Sequence, residues 1–261
     1  MPLPFFLIDA FTTEPFRGNS AGVVLGHGDD AWMQRVAAEM KHSETAFIRE
    51  RSDGAHDLRW FTPEVEVDLC GHATLASAHV LWETSGLANV TFHTRGGVLQ
   101  AARNDDGSIT LDFPVAVPEP APPIPELFAA LGIEPVEFLR TDGDFFCCVV
   151  ADPTKVRKLT PDFAALRAIP SVRGVYVTAP GDTGYDIVSR CFAPRVGIDE
   201  DPVTGSMHCV LVAYWEPKLG KHELRAFQAS ARGGELTVRR EGDRALFTGR
   251  ATTVLRGELD A

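Results

Sequence analysis

The sequence predicts an α+β protein of two pseudo-symmetric lobes, each a curved, mostly antiparallel sheet wrapped around one apolar helix. Three observations predict it. A proline-rich stretch divides the 261-residue chain, three short motifs recur in the same order on either side of it, and each half holds a helix-length run without a charged residue. A helix that is apolar on all faces must be surrounded by protein, and alternating strands are the natural wrapping.

The divider is PVAVPEPAPPIP, Pro114 to Pro125, with six prolines in twelve residues. It lacks the donors to sit inside a sheet and reads as a stiff connector. The expected organisation is a lobe over 1–113, a linker over 114–125 and a lobe over 126–261, with the last strand free to cross back to the first lobe. The repeat supports two related lobes. RWFTP (Arg59–Pro63) is answered by RCFAP (Arg190–Pro194), CGHAT (Cys70–Thr74) by TGSMH (Thr204–His208), and RGGVL (Arg95–Leu99) by RGGEL (Arg232–Leu236). The offsets are 131, 134 and 137, so the order is kept while a few residues are inserted.

Each copy has one plan: a strand, a bend at proline, a short segment, then a glycine that opens an apolar helix. The first helix is predicted from about His72 through HATLASAHVLW, stopped by Ser85-Gly86. The second covers about Ser206 to Trp215 and ends near Glu216-Pro217. An amphipathic helix fits Ala31 to Lys41, with Trp32, Val36 and Met40 on one face and Asp30 as cap. Strand alternation is read in VEVDL (Val65, Val67 and Leu69 on one face) and in ITLDF at Ile109 to Phe113. Turns are expected at Asp106-Gly107, Asp142-Gly143, Gly233-Gly234 and Glu241-Gly242.

Composition narrows the function classes. A net charge of −11 argues against a phosphate-tracking nucleic-acid surface or an anionic-membrane footprint, but leaves room for a small anionic substrate. Five cysteines without a CxxC pair read as a reduced, intracellular protein. The start MPLPFFLIDAF has no basic n-region, and no apolar run reaches the length of a membrane span, so the expected location is cytoplasmic.

The chemistry concentrates where the apolar helices begin. Gly71-His72 and Gly205-Ser206 leave free backbone N–H groups there, and those donors with the helix dipole favour an anion such as a carboxylate. Ser206 capping its own helix is the plainer alternative. Glu44, between Ser43 and Thr45 and entering the apolar run AFI, reads either as a partly desolvated carboxyl of raised pKa or as a local turn after the preceding helix. His72 is either a core histidine or a neutral imidazole kept so by the helix dipole. Asp201 is either an Asx-type turn before Pro202, or a group that orients His72 or binds a ligand hydroxyl. His79 and His208 read as structural.

The stretches IDAFTTEPFRGNSAGVV, SETAFI, LCGHAT and DPVTGSMH together resemble the phenazine-biosynthesis isomerase family (PhzF-like), and the resemblance spans essentially the whole chain. It implies a fold similar to diaminopimelate epimerase, with a cleft between two lobes, in a homodimer. It also implies a proton shift within a dihydro-hydroxyanthranilate ring that uses no metal or organic cofactor. The family's acid/base glutamate falls on Glu44, its helix-start histidine on His72, its supporting aspartate on Asp201 and its helix-start serine on Ser206. Asn19 falls among its ligand contacts, and Gly71 and Gly205 are expected to bind substrate through the helix-start N–H groups described above. One departure is Ser20, where the family commonly has proline after the Gly-Asn pair.

The cysteines argue against racemisation by two opposed thiols, since Cys70 aligns with Thr204 through the repeat. A shift along one ring face needs only one carboxyl, which Glu44 supplies. No GxGxxG or P-loop is present, and Cys70/His72 and His208/Cys209 lack zinc-motif spacing, so no metal is expected. A Ser206–His72–Asp201 hydrolase has the residue types but no GxSxG elbow. The reading is a cofactor-independent isomerase for a small cyclic carboxylate. The alternative is a catalytically quiet binding or interaction protein on the same scaffold.

Overall fold

The computed structural model describes residues 2–260. The chain divides into two compact units, Met1–Phe113 with Leu246–Ala261, and Pro114–Ala245. In the first, β1 (Leu3–Ala10), β2 (Asn19–Leu25), α1 (Asp30–Met40), β3 (Glu44–Glu50), β4 (His56–Phe61) and β5 (Glu66–Val67) lead into α2 (Gly71–Ser85). Then follow β6 (Asn89–Thr94), β7 (Gly97–Arg103) and β8 (Ile109–Pro114). The second runs β9 (Glu119–Pro120), α3 (Pro125–Leu131), β10 (Glu137–Arg140), β11 (Phe145–Val149), α4 (Pro153–Arg157), α5 (Phe163–Arg167), β12 (Gly174–Pro180) and β13 (Ile187–Ala193). It continues with β14 (Ile198–Asp201), α6 (Gly205–Leu219), β15 (Glu223–Gln228) and β16 (Gly234–Glu241), after which come β17 (Arg244–Gly249) and β18 (Ala251–Leu259).

The two units share one pairing scheme. β1–β2 is antiparallel, β2–β3 parallel, β3–β4 antiparallel, β4–β5 antiparallel, β4–β6 parallel and β6–β7 antiparallel. The second unit repeats each step as β10–β11, β11–β12, β12–β13, β13–β14, β13–β15 and β15–β16. The repeated RxFxP motifs hold the same place in that scheme. Arg59 on β4 makes a bidentate contact with Glu66 on β5 at 2.7 and 2.8 Å, and Arg190 on β13 does the same with Glu200 on β14 at 2.7 and 2.8 Å. Each guanidinium also lies over the phenylalanine two residues on, Phe61 at 5.1 Å and Phe192 at 4.9 Å.

The apolar helices are buried as expected. Every residue of α2 from Gly71 to Leu81 is buried, and it packs on β1, β2 and β3, while α6 packs on β15 and β16. Where no water reaches, helix hydroxyls bond back along the helix: Thr74 Oγ1 donates to Cys70 O and Ser77 Oγ to Ala73 O. α2 ends at Gly86 in the left-handed conformation. β8 shows the alternation read in ITLDF. Gly107, Gly143, Gly233 and Gly242 all take positive φ in the expected turns.

Several expectations are corrected. α6 does not stop before Pro217 but continues to Leu219, capped by Gly220. The proline removes one backbone bond in the last turn, where burial through Trp215 holds the helix together. The cap of α1 is Asp29, whose carboxylate accepts from Trp32 N at 2.8 Å. The residues this helix buries are Met33 and Ala37, with Trp32, Val36 and Met40 half-buried around Phe5, Val24, Phe47 and Phe61. VEVDL is a strand only at Glu66–Val67, because Thr62 N–H and hydroxyl both donate to Val65 O in a turn; Val65 and Leu69 are exposed. The proline-rich stretch carries the two-residue strand β9, paired with Leu139 and Arg140 at a sheet edge. The final strand, β18, pairs antiparallel with β1. Among the described residues, no helix is long and apolar enough to cross a membrane.

Candidate active site

Glu44 opens β3, in parallel register with Ala21 of β2, immediately after the connection from α1. A residue there has its backbone fixed on both sides by neighbouring strands, since Thr45 pairs with Phe61 of β4. Its side chain is only 13% exposed and meets His72, in the first turn of α2, with Oε2 3.3 Å from Nε2. His72 Nε2 makes no hydrogen bond among the described residues. The other ring nitrogen, Nδ1, lies 3.5 Å from Cys70 Sγ. The fold thus brings Glu44, His72 and Cys70 together, with one donor atom from each within 4.8 Å of the other two.

Burial drives the His72 pKa down to about 3, with the nearby His42 charge acting in the same direction. The imidazole is therefore neutral across the physiological range. A neutral ring carries one proton. With Nε2–H facing the carboxylate side, Nδ1 is left to accept from the Cys70 thiol.

Asn19 begins β2 and is buried, with Ser43 Oγ donating to its Oδ1 at 3.5 Å. Gly18, just before it, takes φ +62, and a Cβ there would meet Ala10 O at 2.0 Å. Only glycine fits that approach. The loop leading to it is held by buried Asp9, whose Oδ2 accepts from Phe16 N at 2.6 Å.

In the second unit, Asp201 ends β14 and its Oδ2 accepts from Thr204 Oγ1 at 2.5 Å. Gln228, wholly buried at the end of β15, completes the loop: its Oε1 accepts from Thr204 N and its Nε2 donates to Asp201 O, both at 2.7 Å. Gly205 is the buried first residue of α6, and Ser206 is exposed beside it. The capping position belongs to Thr204, not Ser206, and its hydroxyl is turned to Asp201 rather than to the helix. Cys70 likewise makes no side-chain cap to α2, where Gly71 is the first helical residue. Both helices therefore start without a side-chain cap or an acidic first turn, a setting that favours an anion. Of the histidines read as structural, His208 places Nδ1 2.8 Å from Thr204 O, and His79 places Nε2 3.0 Å from Thr253 Oγ1.

Sequence reasoning missed Thr204, Gln228, Asp9 and the contact of Cys70 with His72. Gln228 carried a signal. In ELRAFQ it shares the inward phase with Leu224 and Ala226, so it is a polar side chain where the pattern calls for an apolar one. The CGH motif was read as failing the spacing of a zinc motif. That test counted only neighbours in sequence, and the third ligand type, Glu44, arrives from a distant strand.

Residues 8–257 match the family model described as phenazine biosynthesis-like protein. The chain is 47% identical to an uncharacterised isomerase of Halalkalibacterium halodurans over 99% of both chains. It is 41% identical to a structurally solved phenazine biosynthesis protein of Enterococcus faecalis, with a TM-score of 0.94 and full coverage of both. A probable proline racemase from Agrobacterium radiobacter shares the fold alone, at 13% identity and a TM-score of 0.68 over 98% of this chain and 92% of that one. The chain belongs to the phenazine biosynthesis-like family and is an isomerase with an epimerase-like two-lobed fold.

Proposed function

We propose that this isomerase moves a proton within a small cyclic metabolite bearing a carboxylate, with Glu44 as the acid/base and no cofactor. The observation that carries the reading is the enclosed Glu44 carboxyl set against a neutral imidazole, 3.3 Å from His72 Nε2. The Glu44 carboxylate takes a proton from one ring carbon. The electron pair of that C–H bond shifts into the neighbouring unsaturated system, and the same carboxyl returns the proton to a second ring carbon. No oxidant or reductant enters the balance.

His72, neutral and with Nε2 free of hydrogen bonds among the described residues, polarises or orients the substrate. Asn19 and the N–H groups at Gly71 contribute contacts in the first unit. In the second, Asp201 holds the approach to α6, and Gly205 with Ser206 offers N–H groups to a carboxylate. The same reading takes the protein to be a cytoplasmic homodimer, whose assembly sedimentation equilibrium tests.

The experiment is incubation with dihydro-hydroxyanthranilate and related cyclic carboxylates in deuterated water, followed by NMR, with Glu44→Gln as control. Isomerisation with deuterium uptake in the wild type and not in the variant supports the reading. A ligand that binds without exchange favours a catalytically quiet binding protein instead.

A further inference from the structure

Glu44, Cys70 and His72 are three different metal-ligand types that come from a strand start, a helix cap and a helix first turn. We propose that they form a binding site for a borderline-soft divalent cation, Zn²⁺ in the first instance, and that the ion shuts the enzyme by occupying the atoms that would handle the proton.

The spacing suits it. With bonds of roughly 2.0–2.3 Å in a tetrahedral site, neighbouring donor atoms sit about 3.3–3.6 Å apart. Glu44 Oε2 and His72 Nε2 are 3.3 Å apart, and Cys70 Sγ and His72 Nδ1 are 3.5 Å apart. Only one ring nitrogen can take the metal, so the donor on the other side must swing in. The three donor atoms already lie within 4.8 Å of one another.

Charge and ligand softness agree. A thiolate, an imidazole and a carboxylate suit zinc, whereas magnesium and calcium prefer all-oxygen shells. On binding, the Cys70 thiol gives its proton to solvent. The resulting thiolate and the Glu44 carboxylate then neutralise a dication, so the enclosed site passes from one negative charge to none. A fourth position is left for water. The remaining cysteines do not compete: Cys147, Cys148, Cys191 and Cys209 are buried, and among the described residues none joins a three-ligand group.

The test is titration of untagged protein with Co²⁺, read by absorption, then displacement by Zn²⁺. The expected result is one cobalt per chain, tetrahedral d–d bands and a thiolate-to-cobalt charge-transfer band that Cys70→Ser abolishes while the far-UV circular dichroism is unchanged. No charge-transfer band at saturating cobalt, or an undiminished band in folded Cys70→Ser, overturns the proposal. Should that variant fail to fold, zinc X-ray absorption on the wild type decides: a sulfur scatterer supports the site, and a shell of only nitrogen and oxygen overturns it. The readout is metal binding, so the result stands apart from whether the isomerase reading holds.

Discussion

Glu44 Oε2 and His72 Nε2 meet at 3.3 Å, one at the first residue of a strand and the other in the first turn of a buried helix. Both backbones are fixed before the side chains meet, β3 by its neighbours on either side and α2 by burial along its length. Both attachment points are thus set by the fold, the positioning that the proposed proton-carrier role of Glu44 requires.

Replacing Glu44 by Gln keeps the shape and removes the proposed base. Isomerase turnover is expected to fall by about 10²–10⁴-fold, the usual contribution of a positioned acid/base group. Thermal melting and rate measurement on the same preparation check it. A variant that keeps more than half of the wild-type rate would remove Glu44 from the mechanism.

Gln228 is a structural support of the loop that carries Asp201. Gln228→Leu leaves Thr204 N–H and Asp201 C=O without their partner, and an unsatisfied buried group costs about 1–3 kcal/mol. Urea denaturation should show a lower midpoint at unchanged slope. An unchanged midpoint would mean that water replaces the amide without loss.

The two bidentate pairs offer an internal comparison. Side chains of Arg190 and Glu200 are 10% and 17% exposed, whereas Arg59 is 27% exposed and shares Glu66 with Arg95. Removing one partner of the more enclosed pair, as in Glu200→Gln, is expected to cost roughly 3 kcal/mol, the low end for a buried pair. Double-mutant cycles should give a larger coupling for Arg190–Glu200 than for Arg59–Glu66. Equal couplings would show that exposure does not decide between them.

Acid stability follows from two buried histidines. Burial holds His72 at about 3 and His208 at about 4, the latter despite its hydrogen bond to Thr204 O. Below about pH 6.5 the unfolded chain binds protons at both sites while the folded chain does not, so their share of the stability is intact above that pH and is lost as pH falls. Each site adds a slope of about 1.4 kcal/mol per pH unit between its two pKa values. Unfolding free energies measured from pH 7 to pH 4 should decline more gently in His208→Gln. An equal slope in the variant would mean that His208 already protonates in the folded protein.

What the sequence determined by itself was whatever its local grammar and its internal repeat encode. The two buried helices, the glycine turns, the strand at Ile109–Phe113 and the paired lobes all follow from periodicity, from breakers and from three motifs recurring in order. Glu44, His72, Asp201 and the two helix starts were legible as candidates because a polar group opening an apolar run is costly unless something uses it. Tertiary structure alone decided who meets whom. It put Glu44 beside His72 and Cys70, turned the Thr204 hydroxyl from its helix to Asp201, and set Gln228 under that loop. It also left Val65 and Leu69 in solvent, because a turn had already taken the Val65 carbonyl. The physical reason is one of range. Propensity and periodicity act over a few residues along the chain, whereas hydrogen bonds and desolvation act over a few ångströms in space, and only the packed sheets and helices bring distant residues that close.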